Sequence, residues 1–404
     1  MVNRNEAEGE QRMKILQLNP AFYPAFAYGG TVNVSYNLSK ALAKRGHDVT
    51  VYTSDTIDKR TRKRDLYLEH EGMKVHYFRN ISNLLAWHRY LLYPGLVGAL
   101  RNHIQEFDII HLHGSRNFQN IVAAHYAKKY GIPFVVQPHG SLPLHFGKQN
   151  LKRIYDTLWG EKILKNAKGI FALTSLEAEQ VIKLGIDENK VHIIPNGIDP
   201  SQYETPPSRG EFRTIYNIPY DTHMILFLGR LHPIKGVELL IHAFEIVSKE
   251  MDNCILVIAG PDDGSLSELR GLVKGFNLSK KVIFTSSIYG NEKLSAYVDA
   301  DVFVLPSLYE AFPNTVLEAW ACGTPVIVTE SCAISTAVRE AGIVVKRDSN
   351  ELAEGIKKII LDDTLSKDCC RKGKALIKNV FDIESVTTKI EDCYFKVIQN
   401  GMRN

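Results

Sequence analysis

The sequence predicts an α/β protein with two Rossmann-like domains, each a doubly wound parallel sheet, that face each other across a crevice. Its 404 residues, 45% of them hydrophobic, exceed the usual size of one domain. Short apolar runs bounded by turn residues alternate with segments of helical period, which is typical of βαβ units. A cluster of prolines with a glycine at residues 195–207 separates two such series, as a linker would.

Strands are predicted where an apolar run ends at turn residues. The first series comprises residues 14–19, 48–53, 74–78, 108–113, 134–137, 169–173 and 191–194, and the second comprises 224–228, 255–259, 282–285, 302–305, 326–329 and 343–345. A helical apolar stripe within residues 383–399 predicts a last helix that docks back onto the first domain. The predicted boundaries are therefore 1–199 for the N-terminal domain, 200–382 for the C-terminal domain and 383–404 for the docking helix.

Composition disfavours several classes of protein. No run of eighteen apolar residues predicts a membrane span, and Glu6, Glu8 and Glu10 lie where a signal peptide would be apolar. The six cysteines form no C-x-x-C pair, which argues against a zinc site or a disulfide framework. The G-x-G-x-x-G fingerprint of dinucleotide enzymes does not occur. We therefore expect a cytoplasmic protein that is not a dehydrogenase.

Charge is divided unequally between the two halves. Residues 1–199 contain 26 Lys and Arg against 18 Asp and Glu, a net charge of +8, whereas the remainder has 23 against 27, a net charge of −4. No basic helix with interleaved stacking aromatics marks a nucleic-acid platform. We expect the basic half to meet phosphate groups or an anionic membrane surface, and no nucleic acid.

Motifs at the carboxyl ends of parallel strands are candidates for ligand contacts, because ligands of open α/β sheets collect there. Arg230 follows the first strand of the second series, and Lys235 precedes the next helix. These cations can hold a phosphate together with helix N–H groups, or they are ordinary solvated loop residues. In the first domain Gly29 and Gly30 either bring backbone close to an anion or form a flexible turn.

Two carboxylates follow the predicted strand at 302–305. Glu310 lies on the loop beyond this strand, and Glu318 falls in the first turn of a helix that Asn314 is predicted to cap. Helical side chains lean toward the N-terminus, so Glu318 is expected to point back toward the strand ends. Such a pair suits hydrogen bonds to sugar and ribose hydroxyls. The alternative for Glu318 is that it only complements the helix dipole.

Together these motifs resemble glycosyltransferase family 4, whose members have the GT-B fold. The resemblance covers essentially the whole chain, and its most specific part is Glu310-AFPNTVL-Glu318 followed by AWACGTPVI. Family members transfer a sugar from a nucleotide donor with retention of anomeric configuration and without a bound metal. The resemblance therefore implies a UDP- or GDP-type sugar donor and no cofactor. The charge of the basic half leads us to expect a saccharide or lipid-linked acceptor and, together with the habit of the family, a role in making a surface polysaccharide or glycolipid.

The resemblance also implies which residues contact the donor. They are Gly29, Gly30, Arg230, Lys235, Glu310, Ala311, Phe312, Asn314, Thr315 and Glu318. Arg230 and Lys235 would hold the diphosphate, Glu310 the hydroxyls of the transferred sugar, and Glu318 the ribose. Many members have Gly-Phe-Gly after the first glutamate, whereas this chain has Pro313 at the third position, which has no N–H to donate. The class of donor is therefore better defined than its identity.

Eleven of the fourteen histidines lie in the first half, and His113 and His139 stand at strand ends. An imidazole there can donate a hydrogen bond to a sugar hydroxyl or to the diphosphate, or it can be structural. The resemblance favours His139, so the implied catalytic set is His139, Arg230, Lys235 and Glu310. His113 is either on the acceptor side or structural. The D-x-D of Asp299 and Asp301 precedes a buried strand, and we interpret it as structural.

The basic half offers one candidate for membrane contact. Residues 59–64 contain five cations, and residues 84–100 are rich in leucine and aromatic residues. Such segments suit the interface of an anionic bilayer, or they form a solvated charge run beside a core helix. We therefore expect a cytoplasmic enzyme, peripheral at the cytoplasmic face of the membrane if this contact exists. Rival functions are a nucleotide-sugar epimerase, a phosphorylase, or a non-catalytic sugar-nucleotide binding protein of the same fold.

Overall fold

The structure, a computed structural model, describes residues 12–143 and 149–402. The chain divides into two compact units. Unit 1 comprises the residues up to Gly197 together with those from Val386 onward, and unit 2 is Ile198–Ser385. The predicted boundaries at 199 and 382 lie two and three residues from these.

Unit 1 contains a sheet of eight strands within the described residues. They are β1 (Lys14–Leu18), β2 (Asp48–Ser54), β3 (Tyr67–His70), β4 (Met73–Phe78), β5 (Ile109–His113), β6 (Phe134–Gln137), β7 (Gly169–Ala172) and β8 (Val191–Ile193). Their order is β3-β4-β2-β1-β5-β6-β7-β8, and every pair is parallel except β3 with β4. All seven predicted strands are present, each within one residue of its predicted ends. Strand β3 was not predicted, because it is short and follows the charged segment 59–65.

Helices cover both faces of this sheet. They are α1 (Gly30–Lys44), α2 (Asn83–Trp87), α3 (Gly95–His103), α4 (Phe118–Tyr130), α5 (Gln149–Tyr155), α6 (Glu161–Asn166) and α7 (Ser175–Lys183), with a π-helical turn at Asp156–Gly160. Helices α3, α4 and α6 bury apolar residues with Leu16 and Leu18 of β1 on one face. Helix α1 packs with Ile15 on the other face. The alternation of adjacent β1 side chains between two cores follows from the period of two in a strand.

The last helix, α16 (Ile383–Met402), joins the α1 face of unit 1. The predicted apolar stripe of this helix is buried there among strand residues. Its buried members are Val386, Ile390, Tyr394 and Val397. Burial of side chains of this size is worth about 1.5–3 kcal/mol each. Glu391 of the same helix accepts a hydrogen bond from Arg45.

Unit 2 contains a six-stranded sheet that is parallel throughout. Its strands are β9 (His223–Leu228), β10 (Cys254–Ala259), β11 (Val282–Ser286), β12 (Val302–Leu305), β13 (Val326–Thr329) and β14 (Gly342–Val345), in the order β11-β10-β9-β12-β13-β14. Its helices are α8 (Glu211–Tyr216), α9 (Val237–Glu250), α10 (Leu266–Gly275), α11 (Gly290–Asp299), α12 (Asn314–Cys322), α13 (Ser335–Ala341), α14 (Ser349–Leu361) and α15 (Asp363–Asn379). All six predicted strands of the second series are confirmed.

The D-x-D pair is a structural element of unit 2, as interpreted from the sequence. Asp299 is fully buried at the end of α11 and accepts hydrogen bonds from the backbone N–H groups of Gly210 and Arg213. Asp301 accepts from the N–H of Met224 at 2.8 Å and from the buried Arg213 guanidinium at 3.2 Å. Both carboxylates therefore hold the start of α8 against β9 and α11.

We predict that Asp299→Ala lowers the free energy of unfolding of unit 2 by about 3 kcal/mol, because two buried N–H groups lose their acceptor. Urea unfolding followed by circular dichroism measures this change. The matched control is Asp363→Ala, whose carboxylate is 89% exposed. Equal stability of the two variants would contradict the structural role of Asp299.

Candidate functional site

The loops after β9, β10, β12 and β13 are joined to one another at the carboxyl ends of the unit 2 strands. The Leu231 N–H donates to the Pro261 carbonyl at 2.9 Å, and the Leu308 N–H donates to the Ile234 carbonyl at 2.8 Å. On the far side the Ala333 N–H donates to the Glu310 carbonyl at 2.8 Å. The four loops thus form one connected rim, which carries Arg230, Lys235 and Glu310. The other polar residues predicted for the second domain, Asn314, Thr315 and Glu318, lie on the following helix α12.

Two glycines allow this close approach. At Gly236, where φ is +67°, a Cβ atom would lie 2.1 Å from the Pro306 carbonyl oxygen. At Gly260, where φ is +150°, it would lie 1.8 Å from the Gly229 carbonyl oxygen. Because these neighbours are backbone atoms that cannot rotate away, only glycine fits at either position.

The rim pairs each predicted cation with a carboxylate. Lys235 forms an ion pair with Glu310, and both side chains are 17% exposed. Arg230 forms an ion pair with Asp263, where the two side chains are more open to solvent. Lys235 is therefore not an ordinary solvated loop cation, whereas Arg230 is paired but remains exposed to solvent. Asp263 was not singled out from the sequence, since its role depends on the contact between the loops after β9 and β10.

Glu318 differs from its predicted setting in two respects. Helix α12 begins at Asn314 with Pro313 in the capping position and no side-chain cap, so the predicted Asn314 cap is wrong. Glu318 is consequently the fifth helical residue and lies beyond the first turn. It is buried, and its carboxylate accepts from Lys293 Nζ at 2.8 Å and from the Tyr297 hydroxyl at 3.0 Å. A ribose contact would have to use its remaining lone pairs.

The loop between Glu310 and α12 has few side chains that could contact a donor. Phe312 is buried and packs edge-on against Phe381, so its ring belongs to the core. Ala311, Asn314 and Thr315 are half-buried. Their predicted donor contacts stay predictions, and for Phe312 such a contact would involve the main chain.

In unit 1 the Gly29-Gly30 turn begins α1. Gly29 has φ of +102° with nothing within 4 Å of its Cβ position, so glycine is required there by conformation and not by crowding. The preceding Tyr28 is fixed by its hydroxyl against Thr56 at 2.8 Å and by Arg89, which donates to the Tyr28 carbonyl at 2.9 Å. The residue before the turn is therefore anchored at both its side chain and its carbonyl, and the predicted contact of Gly29 and Gly30 with an anion stays a prediction.

The strand-end histidines lie in a buried polar network. His113 Nδ1 lies 2.9 Å from His139 Nε2, and His113 Nε2 lies 2.7 Å from Gln17 Oε1. Gln17 Nε2 donates to the Tyr394 hydroxyl at 3.3 Å, and that hydroxyl also contacts His111 Nδ1 at 2.7 Å. The sequence indicated Tyr394 only as part of an apolar stripe, although a buried tyrosine hydroxyl normally needs a partner.

His139 is held in an unusual backbone conformation. Its φ is +54°, in the left-handed region that costs a non-glycine residue about 1–3 kcal/mol. The buried Glu177 carboxylate accepts from the Gly140 N–H at 2.6 Å and from the Leu173 N–H at 2.8 Å, which fixes the turn. Burial raises the pKa of Glu177. The T-x-x-E spacing from Thr174 is a capping-box signal that would have located this residue in the sequence.

Burial makes these imidazoles neutral. It lowers the pKa of His139 to about 4, and it holds those of His111 and His113 well below their ordinary value. A protonated imidazole at this place, one of the two forms considered from the sequence, is therefore disfavoured near neutral pH. Among the described residues, no group of three or more His, Cys, Asp or Glu could hold a metal ion.

Two family models match the chain. The model described as Glycosyltransferase Family 4 matches residues 28–202, and the model described as Glycosyl transferases group 1 matches residues 208–376. The first range contains the Gly29-Gly30 turn and His139. The second contains the whole rim of unit 2 and Glu318.

Individual proteins resemble the chain along nearly its whole length. A D-inositol 3-phosphate glycosyltransferase of Paenarthrobacter aurescens is 28% identical over 354 residues, which are 82% of this chain and 84% of that protein. Sucrose-phosphate synthase from Thermosynechococcus elongatus superposes with a TM-score of 0.78 at 23% identity, covering 96% of this chain and 100% of that one. Anabaena HepE in complex with UDP-glucose superposes with a TM-score of 0.75 at 22% identity, covering 94% and 99%. The two superpositions show a shared fold.

The neutral state of His139 predicts a pH dependence. With a native pKa of about 4 against an unfolded value of about 6.5, His139 takes up its proton only on unfolding, so stability falls as pH drops through this interval. The loss of unfolding free energy between about pH 7 and about pH 5 should be smaller in His139→Gln than in the native chain. His125→Gln, at an exposed position of α4, should leave the loss unchanged. An identical loss in all three proteins would refute the assignment.

Proposed function

Because the chain belongs to glycosyltransferase family 4 and has the GT-B fold, we propose that it is a retaining hexosyltransferase with a nucleoside diphosphate sugar as donor. The observation that carries this proposal is the Lys235–Glu310 pair on the unit 2 rim. A cation for the diphosphate and a carboxylate for the sugar are adjacent there, at the strand ends where ligands of α/β sheets collect.

Donor binding would exchange partners within the rim. The diphosphate competes with Glu310 for Lys235 and with Asp263 for Arg230, since phosphate oxygens are strong acceptors for both cations. Glu310, once released, can accept hydrogen bonds from hydroxyls of the donor sugar. The two ion pairs thus keep the cations close to their working positions before the donor arrives.

Catalysis would rest on stabilising the leaving group. The bond between the anomeric carbon and the donor phosphate oxygen breaks, and Lys235 and Arg230 neutralise the negative charge that builds on that oxygen. The acceptor oxygen bonds to the same face of the anomeric carbon, and its proton passes to the departing phosphate. This course retains the anomeric configuration and needs no covalent nucleophile from the protein.

The similar proteins narrow the substrates that we propose. HepE was solved with UDP-glucose, which favours a UDP-hexose over a GDP-hexose as donor. The D-inositol 3-phosphate glycosyltransferases act on a phosphorylated polyol, and the net charge of +8 over residues 1–199 suits an anionic acceptor. We propose a phosphorylated or lipid-linked saccharide acceptor, and hence a role in surface polysaccharide or glycolipid synthesis.

We also propose peripheral contact with an anionic membrane. Within residues 84–97 one set of side chains enters the core, while another is exposed and comprises Leu84, Leu85, Tyr90, Leu92 and Val97. In the adjacent basic loop Arg62 is tied to Asn80 and Asn83, whereas Lys59, Arg60 and Arg64 are exposed. Exposed apolar residues beside exposed cations suit an anionic interface. None of the helices in the described ranges has the length and apolar composition of a membrane span.

We predict that Lys235→Met and Glu310→Gln each lower the rate of sugar transfer from UDP-hexose by about 10²- to 10³-fold, because each removes one half of the rim pair. Product formation is measured by chromatography with a mixture of acceptors. Lys249→Met is the control, since it breaks an ion pair with Glu245 on α9 away from the rim. Transfer at the native rate by Lys235→Met or Glu310→Gln would rule out the proposed site.

For the membrane contact, replacement of Lys59, Arg60 and Arg64 by Gln should weaken sedimentation with phosphatidylserine vesicles at least about tenfold. The loss follows from fewer cations facing the anionic surface. Replacement of the exposed Lys274, Lys280 and Lys378 of unit 2 by Gln is the matched control. Equal sedimentation of both triple variants would exclude a membrane role for the basic loop.

A further inference from the structure

A continuous chain of hydrogen bonds runs from α16 to the strand-end His139. Its members are Tyr394, Gln17, His113 and His139, with His111 attached to the tyrosine hydroxyl. Gln17, His111 and His113 occupy alternate positions of β1 and β5, so they share the sheet face on which α16 packs. All of these residues except His139 are buried.

The direction of each bond in this chain follows from Gln17. Its amide nitrogen donates to the Tyr394 oxygen, so the tyrosine proton is directed to its other partner, His111 Nδ1. Its amide oxygen faces His113 Nε2 at 2.7 Å and can only accept. His113 must therefore carry its proton on Nε2.

The protonation of His113 in turn determines which nitrogen of His139 carries a proton. A neutral imidazole has one N–H and one lone pair, so the Nδ1 atom of His113 is an acceptor. The atom that faces it at 2.9 Å is His139 Nε2, which must then be the donor. This leaves His139 Nδ1 with a lone pair. In the described part of the chain that atom has no hydrogen-bond partner and no exposure to solvent.

We propose that Tyr394 and Gln17 are positioning residues that hold His139 in the tautomer protonated on Nε2, so that Nδ1 accepts a hydrogen bond from a substrate hydroxyl. His139 would then act as an acceptor, in contrast to the donor role expected from its position at a strand end. A sugar hydroxyl would satisfy an atom that is otherwise buried without a partner. The substrate part of this inference rests on the proposed function, whereas the tautomer does not.

The tautomer is read directly by nuclear magnetic resonance. In protein labelled with ¹⁵N-histidine, two-bond ¹H–¹⁵N correlations distinguish the protonated from the unprotonated ring nitrogen of each imidazole. The His139 signals are those that disappear in His139→Gln. We expect His139 to be protonated on Nε2 near neutral pH. If the Gln17 amide were reversed, every hydrogen bond of this series would run in the opposite direction and His139 would be protonated on Nδ1. A proton on His139 Nδ1 would therefore overturn the proposal whether or not the protein transfers sugar.

Tyr394→Phe and Gln17→Met test the positioning role. Each removes one link, so His139 should show a mixture of both tautomers while the fold persists. The control is Tyr36→Phe, which removes a tyrosine hydroxyl that lies 3.0 Å from His70 Nε2. This hydroxyl is in unit 1 but is not part of the series of hydrogen bonds that leads to His139. Tyr36→Phe should leave the His139 signals unchanged. An unaltered tautomer in both Tyr394→Phe and Gln17→Met would show that these residues only stabilise the fold.

Transfer kinetics then test whether the positioning acts through His139. Tyr394→Phe should lower kcat by about 10- to 100-fold with little change in the donor KM, because the ring is misplaced and not removed. In the His139→Gln background the same substitution should have almost no further effect on kcat. Multiplicative effects in the double variant would overturn the link. Loss of activity in Lys235→Met with normal His139 signals would concern the donor site alone.

Discussion

The unit 2 site depends on how closely backbone can approach backbone at the ends of β9, β10 and β12. Gly236 lies against the Pro306 carbonyl and Gly260 against the Gly229 carbonyl, and a single Cβ at either place would separate the loops. Closure of these loops brings Lys235 to Glu310 and Arg230 to Asp263. All four charges are thus paired, which for the half-buried Lys235 and Glu310 avoids the cost of an unpaired ion. In the function that we propose, the same arrangement presents both cations to the donor phosphates.

Unit 1 uses a different electrostatic arrangement. Its strand-end residues are neutral, because burial lowers the pKa values of His111, His113 and His139. The two nitrogens of each imidazole there differ only in the direction of their hydrogen bonds, and the Gln17 amide sets that direction. Helix α16, which enters the core of unit 1 through Tyr394, is therefore linked by hydrogen bonds to the turn at His139, more than 250 residues earlier in the sequence.

Most of the fold could be predicted from the sequence, since parallel strands that are buried on both faces read as short apolar runs between turns. Strand β3 could not, because it is a four-residue edge strand with an exposed, polar pattern. Lys235 and Glu310 were identified as site residues, but their contact was not, as it requires two loops 75 positions apart to meet. For the same reason the sequence did not single out Asp263 or Gln17, or the hydrogen-bonding role of Tyr394. The prediction that Asn314 caps helix α12 was wrong because Pro313 occupies the capping position.

Binding of a nucleoside diphosphate on the rim of unit 2 can be measured by hydrogen–deuterium exchange with mass spectrometry. Exchange is compared for the native chain with and without UDP, and with GDP and ADP as alternatives. We expect slower exchange in residues 229–236 and 306–318, because a bound diphosphate orders these loops and occupies their N–H groups. Protection confined to other segments, or no protection with any of the three nucleotides, would contradict binding of a nucleoside diphosphate on this rim.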